Sequence, residues 1–418
     1  MELNMSARRS VFAIGLLVLG APFFSSAANF GGPDAVENTL SEHNKQPQSW
    51  RNQLAQEGLT FGLDYNGIGF NSANGSKGNT VNASGGVARF YGQWNLIGRN
   101  SNNTGGIVWK IEHRHAYSDY APKSYAFLAD LAGAEGLGYI GMIQPAFSDQ
   151  GDRITNLHWK QRLNDGKTSF IVGFQDVTDY VDTYALASPW TGFSNLVFQT
   201  GAGAMGLPDD GLFAVSIGQM LTDNYYIVAG LADANGRSDS DEIFDGFDSF
   251  FNDNDYFTTV ELGWTASQQQ IYTDNLHVTY WHLDATFNDD GSTRHSAKNS
   301  EGVNFSLSYF VTPQIMPFVR AGFSIDGDAA LYEKSISVGL GYFGLGAPKH
   351  NLGAAFNWSE ANKEGWGTDD SQTTLEIYYN MQFGEHVQIT PDFQWIHDPI
   401  LSQESNALVF GLRGRIFI

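Results

Sequence analysis

The sequence predicts an all-β protein, a transmembrane antiparallel β-barrel of about sixteen strands with short periplasmic turns and long extracellular loops. Three observations predict it: apolar/polar alternation in nearly every stretch from residue 59 to the C-terminus, in blocks of about ten residues separated by turns or loops, connections that sort into two length classes, and an aromatic-rich, glycine-rich composition of low charge.

The alternation is clearest near the C-terminus. Thr373, Leu375, Ile377, Tyr379, Met381 and Phe383 fall on one face, and Thr374, Glu376, Tyr378, Asn380 and Gln382 on the other. In the next block Val387, Ile389, Pro391, Phe393 and Trp395 oppose Gln388, Thr390, Asp392 and Gln394. A strand with lipid outside and water inside requires this period of two.

Blocks of this kind centre near residues 63, 92, 110, 158, 171, 216, 228, 260, 279, 306, 319, 338, 354, 377, 391 and 411. Asn164-Asp165-Gly166-Lys167, Thr312-Pro313 and Gly384-Glu385 are tight turns. Segments 68–86, 116–152, 176–211, 233–255, 284–301, 325–334, 359–371 and 397–405 form the long class, and short and long are expected to alternate without exception. An even-stranded barrel with both termini periplasmic produces that order.

The composition agrees. Gly 47, Phe 30, Tyr 18 and Trp 10 accompany only 16% charged residues. Strands apolar on one side keep mean hydropathy low, and aromatics form the interfacial girdles. The 23 basic against 45 acidic residues give a net charge of −22, which argues against nucleic acid as a partner. Cysteine is absent, so neither disulfides nor thiolate metal sites hold the fold.

At the N-terminus Arg8 and Arg9 precede an apolar run, 11–20, and the small residues Ser25-Ser26-Ala27-Ala28. This is a secretory signal peptide over 1–28, too short in its apolar run for a spanning helix and cleaved after Ala27 or Ala28. Residues 29–58 are expected to be a periplasmic segment with a short helix at 50–58 ended by glycine, and 59–418 the outer-membrane barrel.

Assigning faces by alternation gives the lumen its chemistry. Arg89, Tyr91, Gln93 and Asn95 point inward from the second strand, and Lys110, Glu112 and Arg114 from the third. Asn156, His158, Lys160 and Arg162 do so from the fourth, followed by Glu261, Trp281, Arg320, Glu376, Tyr378, Arg413 and Arg415. These cations outnumber the wall acids Asp64, Glu112, Glu261, Glu376 and Asp392, so the inferred wall is basic on an acidic protein. Guanidinium, carboxylate, amide and aromatic groups together suit a polyhydroxylated uncharged solute. The same charges also suit mutual pairing across a packed lumen.

With those residues laid out, the chain resembles the carbohydrate-selective porin (OprB) family over its mature length. Three strings carry the resemblance: Gly173-Phe174-Gln175-Asp176-Val177-Thr178-Asp179-Tyr180-Val181-Asp182-Thr183, Gly230-Leu231-Ala232-Asp233-Ala234-Asn235-Gly236, and Gln394-Trp395-Ile396-His397-Asp398-Pro399 leading to Val409-Phe410-Gly411-Leu412-Arg413-Gly414-Arg415-Ile416. The resemblance implies passage of glucose and related sugars through a constriction narrowed by inward loops. It makes 116–152 and 176–211 the candidate loops, with Asp176, Asp179 and Asp182 near the mouth. The aspartate spacing equally suits a loop-helix cap or a divalent cation.

Sugars are therefore the expected permeating solutes. Outer-membrane lipids, lipopolysaccharide and the barrel-assembly machinery are the expected partners, a homo-oligomer is compatible with the sequence, and no cofactor is called for. A general or anion-preferring diffusion porin is the alternative within the membrane. A barrel enzyme is the alternative outside transport, but no Ser, His and Asp spacing singles out a triad. His113 and His115 share an outward face and are read as interfacial rather than metal-binding. The acids Asp239, Asp241, Glu242, Asp253 and Asp255 lack a calcium-loop pattern.

Overall fold

A computed structural model describes residues 49–126, 135–236, 246–288 and 290–418. The expected signal peptide over 1–28, most of 29–58, Phe127, and the acids Asp239, Asp241, Glu242 and Asp245 lie outside the described residues. Helix α1 (Ser49–Gln56) precedes the barrel, and Gly58 follows it at φ +84°, where a side chain would be strained. Trp50 of α1 meets outward-facing Phe61 with centroids 6.2 Å apart, so the helix lies on the outer rim.

Sixteen antiparallel strands close into a barrel. They are β1 (Leu59–Ala73), β2 (Val81–Ile97), β3 (Gly105–Ala116), β4 (Gly151–Leu163), β5 (Thr168–Gln175), β6 (Leu212–Met220), β7 (Tyr225–Asp233) and β8 (Tyr256–Thr265). The second half comprises β9 (Asn275–Leu283), β10 (Ser300–Ser308), β11 (Ile315–Asp326), β12 (Tyr332–Phe343), β13 (Asn351–Ala361), β14 (Ser371–Phe383), β15 (Val387–His397) and β16 (Asn406–Phe417). Every strand follows its neighbour in sequence, and β1 closes on β16 with Tyr65 opposite Ile416. Closure leaves no sheet edge, as a structure surrounded by lipid demands.

The two faces separate as the alternation requires. Leu63, Phe90, Ile377 and Phe410 are exposed outward, while Asp64, Arg89, Glu376 and Arg413 are buried inward. The connections need a correction: long and short do not alternate without exception. Segment 266–274, on the short-turn side, outlasts 327–331 on the other, and 74–80 matches 98–104. The reason is packing, because 266–274 carries a 3-10 turn (Gln268–Gln270) and folds inward, where Tyr272 O accepts from Ala185 N at 2.8 Å.

Loops fill much of the interior. Tyr139, Ile143 and Phe147 from the β3–β4 loop pack on Ile68, Phe70, Val87, Ile396 and Val409 of the wall. Tyr184, Leu186, Phe193 and Phe198 from the β5–β6 loop pack on Met316, Phe318, Ala355 and Tyr378. The inward face thus carries apolar patches beneath the loops, and burial of those patches contributes about 25 cal/mol per Å² as in any core.

Candidate functional site

The site is built from loop 176–211 and the wall that receives it. At its entry Asp176 caps the 3-10 turn Val177–Asp179 by accepting from Thr178 N at 3.1 Å. Lys110 Nζ reaches Asp179 at 2.7 Å and Asp176 at 3.7 Å. Asp182 follows at φ +48° and is fully buried. Its carboxylate accepts from Arg320 Nη2 at 2.5 Å, from Gly201 N at 2.8 Å, and meets His277 Nε2 at 2.9 Å. Burial pushes that carboxyl up, but Arg320, His277 and the Gly201 N–H outweigh it and hold it below its ordinary value.

The wall carboxylates hold loop backbone. Glu261 accepts from Tyr226 Oη at 2.8 Å, Thr279 Oγ1 at 3.0 Å and Asp182 N at 3.1 Å. Glu376 accepts from Ser194 N at 2.5 Å and Asn195 N at 3.0 Å. Arg413 donates to Pro189 O at 2.7 Å and Gly192 O at 3.0 Å, while Asn304 Nδ2 donates to Gly201 O at 2.8 Å. Loop amides removed from water need such partners.

A second set of contacts joins charge to charge. Arg89 pairs with Asp64, which also takes Arg415 at 2.8 Å. The Arg89 guanidinium lies 3.8 Å from the Trp190 ring centroid, a close cation–π contact at the loop tip. Arg114 bridges Glu112 at 2.6 Å and Asp210 at 2.5 Å, and Arg153 also reaches Asp210, at 3.0 Å. Burial raises the Asp210 carboxyl, but Arg114 and Arg153 outweigh it and leave it well below the usual range.

The sequence-derived lining residues therefore divide. Glu261, Arg320, Glu376 and Arg413 face inward, but loop 176–211 covers them and they act as its anchors. Trp281 is sealed beside Met205 and Leu212, and Tyr378 stands edge-on to Phe193 at 5.0 Å. His158 lies between Phe174 O at 3.1 Å and Tyr180 Oη at 3.3 Å. Tyr91, Gln93, Lys160 and Arg162 keep partial exposure toward the short-turn end, where the interior stays open to solvent. Arg89 faces Glu112 in register, with Arg114 one diagonal step away opposite Val87.

Four inward groups are not among the lining residues named from the sequence: Arg153, His277, Asp210 and Trp190. Arg153 is turned in by a register shift between β3 and β4, where Lys110 pairs with Asn156 but Ile111 with Ile154, so Thr155 is the extra residue. A bulge of this kind reverses parity. His277 was legible, standing on the inward face two and four residues before Thr279 and Trp281. Asp210 and Trp190 are loop residues for which no local pattern exists. The outward histidines are held locally, His113 Nδ1 by Asp152 at 2.7 Å and His115 Nε2 by Tyr65 Oη at 2.9 Å. Among the described residues no group of three metal-binding side chains occurs.

A sixteen-stranded closed barrel with a long loop secured inside its lumen defines the porin class of outer-membrane channels. The family model for the carbohydrate-selective porin, OprB family, matches residues 127–416, and the chain belongs to that family. It is an outer-membrane carbohydrate diffusion channel, and its family and fold are those of a channel. Of solved structures, the high-pH form of Pseudomonas putida OprB superposes at TM-score 0.70 with 16% identity, covering 88% of this chain and 96% of that one. An anion-selective porin from Comamonas acidovorans gives TM-score 0.52 at 9% identity, covering 86% and 99%. OmpF of Salmonella typhi gives 0.53 at 10%, covering 86% and 98%. At these identities the likeness extends to the fold alone. No curated protein sequence matches.

Proposed function

We propose that the channel passes small uncharged sugars, glucose-like mono- or oligosaccharides, between loop 176–211 and the wall of β2 to β6. The observation that carries this reading is the pairing of wall cations with loop acids. A bare excess of wall cations would favour anions. Asp176, Asp179, Asp182 and Asp210 offset it through Lys110, Arg320, Arg114 and Arg153. What faces the open part is a polar lining including Tyr91, Gln93, Lys160 and Arg162 that both donates to and accepts from hydroxyls. Weak repeated contacts of that kind allow entry without trapping.

The same reading includes export by a leader within 1–28 cleaved before the periplasmic segment 29–58, insertion by the barrel-assembly machinery, and residence among outer-membrane lipids and lipopolysaccharide. The test is single-channel current of the refolded protein in a planar bilayer with a sugar series from glucose to maltohexaose. Saturable, concentration-dependent block is the expected result. Steady current without block, together with strong anion selectivity, would replace the sugar reading with a general or anion-preferring porin.

A further inference from the structure

Beneath the entry to loop 176–211, toward the short-turn end, the wall of β5 to β8 leaves a recess lined by Ser169, Tyr180, Thr183, Tyr226, Glu261 and Tyr272 among others. The room inside it is about 20 Å³, against roughly 10–15 Å³ needed for one water-sized group. It is too small for a sugar ring and large enough for a single hydroxyl or hydroxymethyl arm.

Two observations point to such a guest. Ser169 Oγ and Thr183 Oγ1 are buried, on residues 2% and 5% exposed, and neither has a hydrogen-bond partner in the protein. Orphaned buried hydroxyls are costly, and each has one proton to donate and two lone pairs to receive. Glu261, on the same lining, accepts three hydrogen bonds from Tyr226, Thr279 and Asp182 N, leaving about one of its roughly four acceptor positions. A group completing this set must donate and accept together, which a hydroxyl does and a simple anion or cation does not. The tyrosine rings of Tyr180 and Tyr272 supply apolar surface on the same lining, suited to the carbon skeleton that carries the hydroxyl.

We infer that this recess is a specificity subsite that takes the exocyclic hydroxymethyl of a passing hexose while the ring stays in the lumen. The inference rests on the sugar-channel reading and deepens it, since a pentopyranose lacks that arm and leaves Ser169 and Thr183 unsatisfied.

The test compares block of single-channel current by D-glucose and D-xylose in the unaltered protein and in Ser169→Ala and Thr183→Val, made separately. Open-channel conductance reports that each variant has folded, and Thr183→Ser serves as the variant that keeps the hydroxyl. Glucose is expected to block more strongly than xylose, and each hydroxyl-deleting variant to reduce that preference by roughly threefold to tenfold, as loss of one hydrogen bond implies. Thr183→Ser is expected to retain it. Block by both sugars with equal strength in the unaltered protein, or a preference unchanged in both variants, overturns the inference and leaves the recess as a water site. Steady current with no block by glucose or by xylose overturns the sugar reading and the subsite with it, so the two failures are distinguishable.

Discussion

Arg320 on β11 donates through one nitrogen to both the carboxylate and the carbonyl of Asp182, at 2.5 and 2.9 Å, and so ties the barrel wall to a loop residue far away in sequence. Its guanidinium also lies 4.6 Å from the Tyr184 ring centroid. Both charged groups are removed from water, and their pairing fixes where the loop crosses the lumen.

Breaking that pair from one side leaves the other charge buried alone, which costs about 3–5 kcal/mol. Arg320→Ala is expected to loosen loop 176–211, seen as flickering current and a wider range of conductances. The double variant Arg320→Met with Asp182→Leu is expected to recover part of the steady behaviour, because no uncompensated charge remains.

The loop attachment also carries a defined pH dependence. The Asp182 and Asp210 carboxyls are both held below their ordinary values. A depressed carboxylate contributes stability that is fully present above its unfolded value of about 4 and is lost as pH falls through the folded value. Currents recorded from pH 7 downward are expected to stay steady to about pH 4 and to become noisy below it. Onset of noise near neutral pH would point to another group.

Removing wall cations shifts the charge balance. Arg89→Ala with Arg114→Ala leaves Glu112 and Asp210 with less compensation, while Asp64 keeps Arg415. The reversal potential in a salt gradient is expected to move toward cation preference, with sugar block weakened alongside it. An unmoved potential would place selectivity elsewhere in the lumen.

At the loop tip, Trp190 is packed between Arg89 and Phe147, whose ring centroid lies 5.6 Å away. Trp190→Ala is expected to cost about 3–5 kcal/mol locally, as large aromatic truncations do. Limited proteolysis of the refolded barrel should then cut within 176–211 faster than in the unaltered protein, with the strands still protected.

Gly302 offers a contrast within the wall. A Cβ there would lie 2.4 Å from Phe323 O and 2.6 Å from the Trp281 ring, so Gly302→Ala is expected to destabilise by about 1–3 kcal/mol. Gly414 has nothing within 4 Å of its Cβ position, and Gly414→Ala is expected to stay within about 0.5 kcal/mol. The thermal midpoint in detergent distinguishes them.

The strands were legible because side-chain alternation is a local property. Each of the sixteen expected centres falls inside a strand, and Glu376, Tyr378, Arg413 and Arg415 lie on the inward face that their spacing assigns. Where a local irregularity intervened, the pattern misled: one extra residue, Thr155, brought Arg153 into the lumen. The connection 266–274 departs from the expected short turn for another reason, since it reaches inward to bond Ala185.

By itself the sequence determined a sixteen-stranded barrel, the face of most side chains, and the polar character of the wall, because a strand between lipid and water must alternate residue by residue. Only the tertiary structure decided which wall residues meet solvent and which grip a loop. Glu376 bonds to Ser194 across 182 residues, and Asp182 meets Arg320 across 138. Such contacts depend on barrel closure and on how a long loop buries its apolar side chains inside it. No short-range period in the chain records that.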